Sequence, residues 1–163
     1  MSAHGLPLLY VVALWFASTA LVVWLDNRRS GSFGASLSVA GLSSLTSDTV
    51  VFTTANERPT ATSIVLQGDG TNATGLVFGQ GVRCIVGAPL LKRLYVKPAS
   101  GGSITAPVGG DLSVSAQSAA LGDTIPAGAH RYSQVYYRDP VVLGGCPASS
   151  TFNATQALDL LWQ

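Results

Sequence analysis

Residues 91–97 read LKRLYVK. In an extended chain Leu94 and Val96 share one side while Arg93, Tyr95 and Lys97 share the other, a period of two that predicts a strand with one buried and one wet face. Asp111–Gln117 repeats the pattern, with Leu112, Val114 and Ala116 opposing Ser113, Ser115 and Gln117. From Asp48 onward, short runs rich in β-branched and aromatic residues alternate with Gly, Pro, Asn and Asp turns. The runs expected as strands are Thr49–Thr54, Thr62–Gln67, Gly75–Phe78, Val82–Val86, Leu91–Lys97, Leu112–Ala116, Arg131–Arg138 and Ala157–Trp162. No convincing amphipathic helix lies between them, so the reading is mainly β: an antiparallel β-sandwich of about eight strands. In the last run Leu158, Leu160 and Trp162 share one side, which predicts a closing strand built into the sheet.

Upstream the character changes. Residues 6–25 read LPLLYVVALWFASTALVVWL, an uncharged run long enough to cross the ~30 Å hydrocarbon core as a helix at 1.5 Å per residue. Pro7 falls in the first turn and Trp24 at the expected headgroup boundary, and Asp26, Asn27, Arg28 and Arg29 end the run. Ser18 and Ala20 are small enough for a signal-peptide cleavage site. The run continues past them, however, and no Lys or Arg precedes it, so it reads as an uncleaved anchor. The sequence thus divides into a single transmembrane anchor (1–29), a Ser/Gly/Ala-rich linker (30–47) and a β-domain (48–163). Within the anchor Ala13, Ala17 and Ala20 form a small-residue patch that admits a second helix, flanked by Trp15, Phe16 and Trp24. Arg28 and Arg29 would keep the following chain in the cytoplasm by the positive-inside rule. The polar composition and the cysteines favour the periplasmic side of a bacterial inner membrane.

Charged residues make up 10% of the chain and the net charge is +1, which gives no field for a nucleic-acid backbone. The expected partners are membrane lipid and other membrane-protein subunits, with no nucleic acid and no cofactor. Cys84 and Cys146 fit either one disulfide in an oxidising compartment or two buried thiols. With two histidines and no Cys-x-x-Cys, a metal site is not expected.

Nothing in the sequence spells a catalytic motif. Gly68-Asp69-Gly70 and Gly79-Gln80-Gly81 lack the residues that hold phosphate and read as hairpin turns. His130 is the single histidine after the anchor, with Asp123 or Asp139 as partners for a triad, but its place at the head of a strand suits a surface histidine. One glutamate, Glu57, and seven scattered aspartates single out no acid pair. Asp69 and Asn72 lack a calcium-loop spacing. The densest cluster is Tyr132, Tyr136, Tyr137 and Arg138 with Asp139. It offers a candidate interaction surface, with Tyr132 and Tyr136 on one face and Tyr137 on the other, set against tyrosines that fill the core. Arg138 and Asp139 are placed to form an ion pair or a turn before Pro140.

Two stretches resemble known proteins. LYVVALWFASTALVVWLDNR (9–28), continued by SFGASLSVAG (32–41), resembles the opening helix of the bacterial photosynthetic complex assembly proteins, through Trp15, Phe16, Ser18, Thr19, Leu25, Asp26 and Arg28. That family continues with further hydrophobic helices, which this chain lacks. GVRCIVGAPLLKRLYVK (81–97), LSVSAQSAALGDTIPAGAHRYSQVYYRDP (112–140) and CPASSTFNATQALDLLW (146–162) resemble a C-terminal β-domain of secreted planctomycete and myxobacterial proteins. The second resemblance implies an exported sandwich with Cys84 paired to Cys146, and no enzymatic activity. Together they imply a non-catalytic, membrane-anchored accessory subunit that stabilises or helps assemble a larger membrane complex, with a photosynthetic reaction centre–light-harvesting complex as the one indicated. A tethered surface binding or adhesion module is the alternative.

Overall fold

The computed structural model describes residues 34–140 and 151–163, so the anchor with Ala13, Trp15, Phe16, Ala17, Ala20 and Trp24, and Cys146, lie outside the described residues. Among the described residues there are nine strands and one short helix, and all their strand pairs are antiparallel. One sheet carries β1 (Ser36–Ala40), β2 (Val51–Ala55) and β7 (Thr105–Ala106) in that order. A second sheet has the order β6 (Lys92–Pro98), β3 (Thr62–Gly68), β8 (His130–Arg138) and β9 (Phe152–Leu161). The third is a hairpin of β4 (Gly70–Phe78) and β5 (Gly81–Val86).

The two larger sheets share one core. Leu37, Phe52 and Ala106 of the first meet Val65, Leu94, Tyr95, Val135 and Tyr137 of the second. Trp162, fully buried just past β9, closes it, with Leu158 and Leu160 packed alongside as the alternation of the last run predicts. Burying side chains of this size contributes about 1.5–3 kcal/mol each. On β8 the alternate residues Arg131, Ser133, Val135 and Tyr137 are buried on the core side, while Tyr132 and Tyr136 are half-buried on the other. The hairpin covers that other face: Gln134 accepts from the Cys84 N–H at 3.3 Å and donates to the Val82 carbonyl at 2.8 Å. The fold therefore has a hairpin laid over one side of a sandwich-like body.

Four local expectations are corrected. In β6 the residue Leu94 is extra relative to β3, because Val65 pairs with Tyr95 and Leu66 with Arg93. This bulge turns Tyr95 inward with Leu94 and leaves Val96 57% exposed, reversing the predicted faces of Tyr95 and Val96 while Arg93 and Leu94 keep theirs. Leu112–Ala116 is not a strand: Val114–Ala120 forms the helix α1, whose buried residues Val114 and Ser118 are four apart, one helical turn. The stretch 30–47, expected as a linker, contains β1, paired along its length with β2, and its Leu45 and Ser43 bond to the backbone of Gln163. Finally, Gly68-Asp69-Gly70 is a corner between sheets and not a hairpin turn. A Cβ on Gly68 would lie 2.0 Å from the Val86 carbonyl oxygen, so only glycine lets the two strands pass so closely. Gly79-Gln80 is the hairpin turn expected, joining Phe78 to Gly81.

Candidate functional site

Strand directions define two poles. Gly34 and Ala35, both buried, lead into β1 opposite the end of β2. The same entry pole holds the first half of β9, since the Gln156 side chain bonds to both the N–H and the carbonyl of Leu37, and with it the start of β3 and the end of β8, since Ser63 pairs with Tyr137 and Arg138 with Phe152. The β4–β5 turn reaches it too. Gln80 bonds through its N–H to the Phe152 carbonyl at 2.9 Å and through its side chain to the Asp139 carbonyl at 3.3 Å. Gly79 has φ +66° and no room for a Cβ beside the Phe152 ring, so glycine fixes this approach. Phe78, Phe152 and Tyr136 interlock edge to face at centroid separations of 4.8–5.7 Å.

Charged groups gather at this pole. Glu57, 5% exposed, donates its backbone N–H to Gly102 and accepts the Ser63 hydroxyl on Oε2. Burial pushes its carboxyl above the usual glutamate range, against the lowering by hydrogen bonds from Ser63 and Thr54. Next to it, Arg58 donates from Nε to the buried Asp139 at 3.2 Å. Arg138 donates from Nη1 to the Thr151 hydroxyl at 2.8 Å. Arg58 and Arg138 both line a groove of about 500 Å³ together with Pro59, Thr62, Pro140 and Thr151. Each uses one nitrogen in these bonds, leaving further N–H groups with which to hold an anion. Beside the turn, Leu76, Val77 and Val82 are 39%, 75% and 43% exposed, with Val77 and Val82 facing each other across the hairpin.

The far pole is closed. Asp123 accepts from Arg131 at two points, 2.7 and 3.0 Å, and from Gln67 at 3.1 Å. Ser118 accepts from Gln67 at 2.6 Å and donates to the Asp123 carbonyl at 2.7 Å. Burial would raise the Asp123 carboxyl, but the bonds and charge of Arg131, with Gln67 and Ser118, hold it below the usual range. His130 lies at the surface, paired through Nδ1 with Asp159 at 2.8 Å and stacked on Tyr132. Its partner is neither Asp123 nor Asp139, and no serine bonds to it among the described residues. No group of three or more metal-ligating side chains occurs among the described residues; Asp69 and Asn72 accept bonds from nearby backbone N–H groups.

The tyrosine cluster does not form one exposed surface. Tyr137 is fully buried in the core, Tyr136 sits against Phe78 and Phe152, and Tyr132 lies at the opposite end of β8. Arg138 pairs with Thr151, and Asp139 pairs with Arg58, so the expected Arg138–Asp139 ion pair is replaced by one across 81 residues of sequence. Cys84 is half-buried on β5. Arg58 and the exposure of Leu76, Val77 and Val82 on the expected hairpin escaped the sequence reading. The available signal was Val77 and Val82 flanking Gly79-Gln80 with no polar residue on their face. No family model, curated protein or solved structure matches the chain. Among the described residues no helix is long and apolar enough to cross a membrane.

Proposed function

We propose that this chain is a non-catalytic accessory subunit, held in a bacterial inner membrane by a single transmembrane helix over residues 6–25, whose β-domain stabilises or helps assemble a larger membrane complex. In this reading the β-domain is a sandwich on the periplasmic side, where Cys84, a free thiol among the described residues, is oxidised to a bond with Cys146. The observation that carries the reading is the juxtaposition, in one short chain, of a membrane-length apolar run and a strand-rich body. The polar cluster of Asp123, Arg131, Gln67 and Ser118 in that body is engaged in holding the fold together. The small-residue patch Ala13, Ala17 and Ala20 supports packing against a second helix in the membrane. The opening resemblance favours a photosynthetic reaction centre–light-harvesting complex as the assembly.

Deleting the chain in its source bacterium tests this reading. The expected outcome is a lower yield or lower thermal stability of the pigment–protein complex, read from the near-infrared absorption of isolated membranes; unchanged spectra and melting contradict it. The disulfide is tested by thiol titration of the denatured, unreduced protein, where absence of free thiol is the expected result.

A further inference from the structure

The entry pole combines exposed aliphatic side chains, two arginines and the point where the upstream chain joins the domain. We propose that this pole is seated on the membrane surface, with Leu76, Val77 and Val82 of the hairpin in the interfacial layer and Arg58 and Arg138 on the phosphates of anionic phospholipid. The inference rests on reading residues 6–25 as the spanning helix, and adds to it which face of the domain meets lipid and through which groups.

Reach sets the first constraint. Eight residues separate Leu25 from Gly34, and even fully extended the two lie no more than about 32 Å apart. Gly34 and Ala35 are already buried at the entry pole, so that pole, and not the far one, is held close to the headgroups. Surface chemistry is the second. Val77 and Val82 oppose each other beside a two-residue turn held at this pole by Phe152 and Asp139, and Val77 at 75% is the most exposed large aliphatic side chain of the described residues. Such a hairpin suits the boundary between headgroups and acyl chains, where apolar side chains leave water without entering the hydrocarbon centre. Charge is the third. Asp139 balances Arg58, whereas the partner of Arg138 is the neutral Thr151, so the groove keeps an uncompensated guanidinium. Arginine N–H groups match phosphate oxygens in geometry and charge.

The test uses the full chain in nanodiscs of phosphatidylcholine alone or with phosphatidylglycerol. The photo-crosslinker benzoylphenylalanine replaces Val77 or, as control, Leu90, which is 74% exposed in the loop after β5 at the far pole. Lipid adducts are counted by mass. Roughly tenfold more adduct at position 77 than at position 90 is expected. Adduct with phosphatidylglycerol should fall roughly fivefold for each arginine removed in Arg58→Gln and Arg138→Gln. Equal adduct at the two positions overturns the proposal, as does a yield at position 77 indifferent to both lipid charge and the arginines. Where the double arginine variant loses its near-ultraviolet circular dichroism, Val82→Asp replaces it, and an unchanged yield at position 77 overturns the proposal equally. Failure of the anchor reading looks different, because the chain then does not float with the nanodiscs at all.

Discussion

The two poles of the domain contain similar residue types used in opposite ways. At the far pole Asp123, Arg131, Gln67 and Ser118 bond to one another, and the Arg131 and Asp123 side chains are 10% and 21% exposed. At the entry pole the Arg58 side chain is 34% exposed and Arg138 reaches a single threonine. A closed network holds elements in register. An open one keeps hydrogen-bonding capacity for something outside the domain. The difference separates polar residues that serve the fold from those available to a ligand surface, although composition alone does not distinguish them.

Breaking the closed network should cost most. Asp123→Asn strands the Arg131 charge and should lower stability by about 3 kcal/mol, seen as a lower denaturant midpoint at unchanged slope. Phe78→Ala removes the ring that holds the hairpin against Tyr136 and Phe152, and about 2 kcal/mol is expected. The diagnostic result is faster amide exchange over residues 70–86 with β3 and β8 still protected. Arg58→Gln takes the charge partner from the buried Asp139 and should cost about 2 kcal/mol, less than Asp123→Asn because the Arg58 side chain is 34% exposed; an equal loss would mean the entry pole is as closed as the far one.

The smallest contrast is in pH. Asp123 is held below its unfolded value, so its stabilisation is present above the ordinary aspartate range and is lost as pH falls through the lowered value. Glu57 is held above its unfolded value, so its neutral form favours folding at low pH and that contribution disappears as pH rises from the ordinary glutamate range through the raised value. Glu57→Gln should therefore raise the melting temperature at neutral pH and change it little at strongly acidic pH. A variant that melts lower at neutral pH contradicts this sign.

Periodicity made the mainly β character and seven of the eight expected runs legible as strands near their places, because alternate burial leaves its mark residue by residue. It failed where tertiary structure overrides local pattern. The extra residue in β6 is invisible until Val65 and Leu66 are seen opposite it, so Val96 and Tyr95 were assigned to the wrong faces. The Leu112-Ser113-Val114 alternation suits a strand, but the four-residue spacing of Val114 and Ser118 decides for a helix once both meet the core. β1 looked like linker because Ser, Gly and Ala carry little strand signal, and its order comes from pairing with β2. The tyrosine cluster misled for a related reason. Strand alternation correctly separated Tyr137 from Tyr132 and Tyr136, yet the hairpin that covers Tyr136 comes from residues some 60 positions earlier. Arg58 had no local signal, since Asp139, which fixes it, arrives through the β3–β8 pairing.

The central claim, membership of a membrane complex, is tested most directly by purifying the full chain through a C-terminal tag from native membranes in mild detergent and identifying what comes with it. The account predicts a stoichiometric pigment–protein complex retained through size exclusion. A chain that leaves the membrane free of other subunits, or that is recovered without detergent, contradicts it.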